Sequence, residues 1–293
     1  MMHNESLYHY YYNHGYLGIC NGDYERGLRY LLKAYELTSE HVNLLPEDDE
    51  RLYYHLGLCY TYMEIPYKAI AFVQRAQQVC PGDRIPNLSL NLNRLLALNY
   101  VNSNQLLDAK KPLEQCLIDG ESIKDDIFIS NTMFCFGCMY KKTENWKIAI
   151  EYFNSALNCS SKNTFSYFSA LYNKIYCIIQ IRTFSRARDL LIEAKAMCKT
   201  DLLWKTYFEA LQRYLVISER MSLSNEEDSD YIEKSALPHF YRNYDYFLAI
   251  DYCRLLERHY ENLRSTKKSL LMSKEILKIY ERCLINHGGD IKK

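Results

Sequence analysis

Apolar and small residues recur along this chain in a fixed order, one set after another. Tyr53-Tyr54-His55-Leu56-Gly57-Leu58-Cys59-Tyr60 is matched by Met133-Phe134-Cys135-Phe136-Gly137-Cys138-Met139-Tyr140. Twelve positions after each glycine stands an alanine, Ala69 or Ala149, and seven positions further stands another, Ala76 or Ala156. The first of these units closes at Pro81. Each position has a steric reason in a pair of packed helices. The glycine on the first helix and the first alanine on the second sit where the two approach most closely, and the aromatic three positions after the glycine fills the space beside that contact. The second alanine lets the second helix pack on the next pair.

More copies follow the same template. Gly15, Gly27 and Ala34 belong to a first pair; Ala97, Tyr100 and Ala109 mark a third; Ile178, Ala187 and Ala194 a fifth; Tyr260, Ser269 and Ile276 the last. The second-helix anchors stand at positions 27, 69, 109, 149 and 187, with steps of 42, 40, 40 and 38 between them, and the next, Ser269, comes 82 positions later. A degenerate sixth pair fills that gap, with helices predicted over 202–219 and 230–240. The linker 222–229 is polar and expected as a solvated loop, and Pro238 is expected to stop or kink the second helix. These spacings are those of a tetratricopeptide repeat. The expected fold is all-α, a right-handed superhelical solenoid of about seven tetratricopeptide-type helix pairs. They fall near 8–40, 50–81, 90–120, 129–160, 167–199, 202–240 and 244–285, in a single domain over 1–293.

Composition narrows the function. With 36 Lys+Arg against 36 Asp+Glu the net charge is zero, so direct contact with nucleic acid is not expected of this segment. Only 10 Gly and 6 Pro occur, too few turn-formers for many short strands. The 11 cysteines are odd in number and scattered, and Cys59, Cys177 and Cys253 sit among apolar neighbours as small hydrophobes do. With no apolar leader after Met1 and no membrane-length apolar run, the expectation is a reduced, cytoplasmic protein that contacts no membrane.

The common form of this repeat is about 34 residues long, and the period here is longer. That length and several phrases resemble the RNPP family of peptide-pheromone receptors of Gram-positive bacteria, which includes the Rap phosphatases, NprR and PlcR. The phrases are Tyr10-Tyr11-Tyr12-Asn13-His14-Gly15 with Gly22-Asp23-Tyr24, Pro46-Glu47-Asp48-Asp49-Glu50, Ala97-Leu98-Asn99-Tyr100-Val101-Asn102, and Ala236-Leu237-Pro238 with Leu255-Leu256-Glu257-Arg258-His259-Tyr260. The resemblance implies an intracellular quorum-sensing receptor. Its concave groove holds a short extended oligopeptide through asparagines on the inner helices, and its output is transcriptional or passes through a phosphorelay. A response regulator or another protein is the implied downstream partner, and a homodimer is left open.

The family also carries an effector module before its repeats, a helix-turn-helix domain or a three-helix bundle. Here the first repeat begins close behind Met1. The expectation is a fragment or a receptor without its output domain.

The resemblance makes Asn99 and Asn173 the first peptide-binding candidates, with Asn131, Asn13 and Asn102 compatible by position. An amide side chain offers both a donor and an acceptor, which suits a peptide unit. Cys135 departs from the pattern, standing where another asparagine is expected. By the repeat template Tyr12, Tyr16, Tyr54, Tyr62, Tyr172 and Tyr176 lie on inner-face positions. Aromatic rings suit recognition there, although packing between helices is the alternative for any of them, as it is expected for Tyr60, Tyr100, Tyr140 and Tyr260. Arg94, Arg254 and Arg258 suit a carboxylate, with ordinary salt bridges as the alternative.

Chemistry is not expected. Cys135-x-x-Cys138 has neither a preceding strand nor a second ligand pair, the eight histidines form no metal-binding motif, and no phosphate loop or nucleophile elbow occurs. No enzyme activity, cofactor or metal follows. The alternative to a peptide receptor is a general scaffold that docks another protein.

Overall fold

The computed structural model describes residues 4–38, 45–79, 88–198, 201–220 and 226–285. Pro81, and the part of the polar linker at 222–225, lie outside them. The described residues form helices and no strand. The chain divides into two compact units, Met1–Cys116 with Cys283–Lys293, and Leu117–Arg282.

The first unit is built from α1 (Asn4–Cys20), α2 (Tyr24–Thr38), α3 (Pro46–Tyr62), α4 (Pro66–Val79), α5 (Leu88–Asn102) and the first part of α6 (Leu106–Ile123). The second contains α7 (Asp126–Lys142), α8 (Trp146–Cys159), α9 (Phe165–Gln180), α10 (Phe184–Met197), α11 (Leu202–Arg220), α12 (Glu226–Tyr231), α13 (Leu237–Arg242), α14 (Tyr246–Asn262) and α15 (Thr266–Tyr280). Odd-numbered α1 to α11, together with α14, are the first helices of their pairs. Asp125 and Thr164 cap α7 and α9 by accepting from the N–H groups of Phe128 and Tyr167.

One turn joins helix to helix within the pairs. A residue with positive φ recurs at Gly22, Glu64, Asn104, Glu144, Arg182 and Arg264. Around each, the N–H of the next residue reaches a carbonyl five positions back, as Ile65 to Tyr60 (2.9 Å), Gln105 to Tyr100 (2.7 Å) and Thr183 to Ile178 (3.2 Å). This is the 6→1 closure that ends a helix through a left-handed residue. Only the first copy uses glycine. The others hold a polar side chain in the left-handed region, so the surrounding packing, rather than local preference, sets these turns.

The small residues do what their spacing demands. Ala34, Ala69, Ala76, Ala97, Ala109, Ala149, Ala156, Ala187 and Ala194 are all buried. A Cβ added to Gly57 would come within 2.8 Å of the Val73 side chain, and one on Gly137 within 2.5 Å of the Phe153 ring. In the first pair Gly18, which the template passes over, sets the closest approach: an added Cβ would meet the backbone N of Gly27 at 2.6 Å. Two glycines face each other there, so α1 and α2 touch backbone to backbone.

Two expectations change. Residues 226–229 are helical rather than a solvated loop, and Asp228 and Ser229 are buried, because Arg213 draws the Asp228 carboxylate inward at 2.7 Å. Pro238 does not stop its helix. Ile232–Ala236 form a π turn in which the Leu237 N–H reaches the Ile232 carbonyl. The wider turn accommodates a proline that has no N–H to donate and whose ring crowds the carbonyl four residues back. Cys59, Cys177 and Cys253 are buried as small hydrophobes, and burial pushes each thiol up to about 12. No helix among the described residues is long and apolar enough to cross a membrane.

Candidate functional site

In the first unit α1, α3 and α5 lie side by side and present an aromatic and cationic face. The Tyr12 hydroxyl is 3.0 Å from His55 Nδ1, linking α1 to α3. Tyr16 and Tyr54 both lie against the His55 ring, at 5.2 and 5.1 Å between centroids. Burial, aided by the Arg51 charge, pushes His55 down to about 4, so its imidazole is neutral near pH 7. Burial also pushes Tyr12 up to about 12, with Arg51 opposing. Tyr54 is raised by burial, and the Arg94 charge from α5 opposes that shift.

Neither Arg51 nor Arg94 has an ion pair among the described residues, and Arg94 Nε is buried without a partner. Tyr16 and Tyr62 remain 47% and 43% exposed. Rings with few rotors and guanidiniums lacking carboxylates form a surface that still has interactions to make.

Asn99 behaves differently. It is fully buried; its Nδ2 donates to Thr61 Oγ1 (2.8 Å) and to the Leu95 carbonyl (2.7 Å), tying α5 to α3. It therefore sits behind the face and bridges the two helices. Asn13 and Asn102 are on α1 and α5, exposed and half-buried respectively.

In the second unit the first helices of successive pairs converge. Lys141 at the end of α7 meets Asp251 of α14 at 3.4 Å, donates to Asn173 Oδ1 of α9 at 3.1 Å, and lies over the Tyr176 ring at 4.4 Å. Burial is the largest influence and works against the Lys141 charge, but Asp251 together with the Cys177 and Cys138 thiols outweighs it and the lysine pKa is raised. Tyr172 and Tyr252 share a hydrogen bond at 2.8 Å between α9 and α14. Gln180 donates to the Tyr214 hydroxyl at 2.9 Å, and Tyr214 in turn points to Tyr176 at 3.4 Å. Tyr172 and Tyr176 are 3% and 5% exposed.

These two tyrosines, expected on an inner face, are thus the packing between four helices. Asn173 spends its amide on Lys141 and on the Ser169 carbonyl (2.9 Å). Asn131 accepts from Ser166 at 3.2 Å, and Arg254 donates to the Tyr280 hydroxyl at 2.9 Å. The repeat template does not single out Lys141, Asp251, Arg51 or His55. The available signal for Lys141 was a charge directly after the anchor Tyr140, in a helix otherwise dominated by apolar residues.

Cys135 and Cys138 lie within α7, and burial pushes Cys138 up to about 12, far from a reactive thiolate. Among the described residues no group of three or more His, Cys, Asp or Glu could hold a metal ion.

No protein-family model matches the chain, and no curated protein matches it by sequence. Solved structures do. A Rap protein complexed with Competence and Sporulation Factor superposes with a TM-score of 0.78 at 13% identity, over 98% of this chain and 78% of that one. NprR in complex with its cognate peptide NprX gives 0.74 at 23% identity, over 93% and 76%. Aspartyl phosphate phosphatase F from Bacillus subtilis gives 0.70 at 17% identity, over 98% and 73%. At these identities the likeness speaks for architecture, and it is the same in each case: this chain has the all-helical, tetratricopeptide-type fold of the Rap and NprR structures.

Proposed function

We propose that the chain is a receptor for a short, extended oligopeptide held on the α1/α3/α5 face of the first unit, and that occupancy controls a transcriptional or phosphorelay output. The observation that carries this reading is the open set of Tyr16, Tyr54 and His55 rings beside Arg51 and Arg94, whose charges have no carboxylate among the described residues. Aromatic faces take apolar peptide side chains, and a guanidinium fork takes a carboxylate or a backbone carbonyl. The same fold in NprR has been solved with a cognate peptide, which supports the reading by analogy of architecture. Asn99 then supports the face from behind, holding α5 against α3. Binding, not catalysis, is the proposed role.

The test is a titration of the chain with synthetic penta- to octapeptides, beginning with those encoded just downstream of its gene and followed by thermal unfolding. A ligand at 100-fold excess over its dissociation constant adds about 2.7 kcal/mol. Arg94→Ala should remove most of that gain while leaving the unliganded melting point nearly unchanged, and Tyr54→Ala should remove it while also lowering that melting point, because its ring packs on the core beneath the face. If no candidate peptide stabilises the chain, the scaffold reading replaces this one.

A further inference from the structure

A cavity of about 190 Å³ opens in the second unit between the ends of α9 and α11, the turn into α10, and α14. Its walls are apolar where Ile179, Ile217 and Leu255 line it, and all three are buried. Its rim carries Arg182, on the left-handed turn residue, and Arg258, one turn beyond Arg254.

No carboxylate lines the cavity. Arg182 has no ion pair or hydrogen bond from its side chain among the described residues. Arg258 uses only Nε, on the Arg254 carbonyl of its own helix at 3.3 Å. Two other arginines of this unit hold acids, Arg188 with Glu219 and Arg213 with Asp228. Glu219, which follows the cavity-lining Ser218 in the chain, is the acid Arg188 already holds. Tyr214 also lines the cavity, and the Arg258 charge opposes the rise that burial gives its pKa. Two unmatched guanidiniums therefore converge on a small apolar pocket in a chain with no net charge.

We infer that this cavity binds a carboxylate carried on a short aliphatic stem, with the oxyanion on the Arg182 and Arg258 forks and the stem against Ile179, Ile217 and Leu255. Planar guanidinium matches planar carboxylate through paired N–H donors. The volume sets the size: at about 30 Å³ per water it holds roughly six waters, the bulk of one small side chain rather than of a peptide. The stem-bearing carboxylate has two sources, the last residue of a peptide or a free short-chain acid. The pocket lies in a different unit from the proposed peptide face, so either assignment can fail without the other.

Calorimetric titration of the full chain with N-acetyl-leucine, isovalerate, N-acetyl-leucinamide and inorganic phosphate tests this. Binding of either acid supports the inference; the tighter of the two identifies the source as a peptide end or a free acid. Arg182→Gln and Arg258→Gln should each weaken it at least tenfold without moving the melting point, since both side chains are exposed. Four results overturn it: neither acid binds at millimolar concentration, the amide binds as well as the acid, the double variant binds the acids unchanged, or phosphate binds as tightly as both acids. Phosphate binding that tightly would remove the role given to the apolar walls.

Discussion

The inner helices of the two units carry similar residues, and the two faces have become opposite things. In the first unit the rings and cations of α1, α3 and α5 are left with interactions to make: Tyr16 and Tyr62 reach solvent, and Arg51 and Arg94 have no anion among the described residues. In the second, the cluster where α7, α9 and α14 meet is paired within itself. Lys141 has Asp251, Asn173 and the Tyr176 ring, and Tyr172 has Tyr252. A tyrosine-rich helix surface is a recognition surface only while its polar groups lack partners from the same chain. Once they are paired, the same residues become a polar core, and a core of that kind depends on every member being present.

The largest test of this contrast is Lys141→Ala. It leaves Asp251 and Asn173 Oδ1 without their donor in a poorly solvated place, and the second unit should lose about 3 kcal/mol in denaturant unfolding. Replacing both charges, Lys141→Met with Asp251→Leu, should recover most of that loss, because two apolar groups fill the space with no orphan charge. Neither change should alter peptide affinity at the first unit. A loss below about 1 kcal/mol for Lys141→Ala, the range of an exposed pair, would mean that the cluster does not hold α7, α9 and α14 together.

Acidification should separate the units next. His55 binds its proton near 6.5 in the unfolded chain but only near 4 when folded. The unfolded state thus takes up more protons between those values, and the first unit should lose about 2 kcal/mol as the pH falls from 7 to 5. In the second unit burial pushes Asp245 up to about 7, against the hydrogen bond it accepts from Tyr207. There the folded state takes up the proton first, so stability is gained as the pH falls through 7 and lost as it rises. Opening free energies from amide hydrogen exchange, resolved by segment, should therefore move in opposite directions in the two units. His55→Gln should abolish the acid sensitivity of the first.

Smaller effects distinguish support from contact. Asn99→Ala should cost the first unit about 1–2 kcal/mol by removing the bridge to Thr61, yet change peptide affinity less than twofold. A large affinity loss with unchanged stability would instead place Asn99 against the ligand. The smallest effect is Tyr172→Phe, about 1 kcal/mol, because it leaves the Tyr252 hydroxyl without the Tyr172 oxygen in a buried place. Adding Tyr252→Phe should return part of it in the same denaturation experiment.

Much of the fold was readable from residue order because its constraints are steric and local. An alanine such as Ala69, or a glycine such as Gly57, is demanded by two helices in contact, and the demand reappears wherever the contact does. The degenerate sixth pair could be placed from the gap between Ala187 and Ser269 alone. Its linker was misread because Asp228 looks like a solvent residue until Arg213, on the preceding helix, is brought beside it. The candidate site was less readable. The template puts Tyr16 and Tyr176 on equivalent positions, each eleven before its second-helix anchor. Nothing nearby in sequence says that one meets solvent while the other lies under Lys141 and beside Tyr214.

The amino-acid sequence by itself determined the helix pairs, their period and the small-residue contacts that set the approach of each pair, because these follow from side-chain size repeated at helical spacing. Only the tertiary structure decided which polar groups found partners. Asp251 on α14 comes to Lys141 on α7, while no anion of the described chain comes to Arg94. Pairing of charges and hydroxyls depends on distances of a few ångströms between helices far apart in sequence, and that is a property of packing, which residue order does not carry.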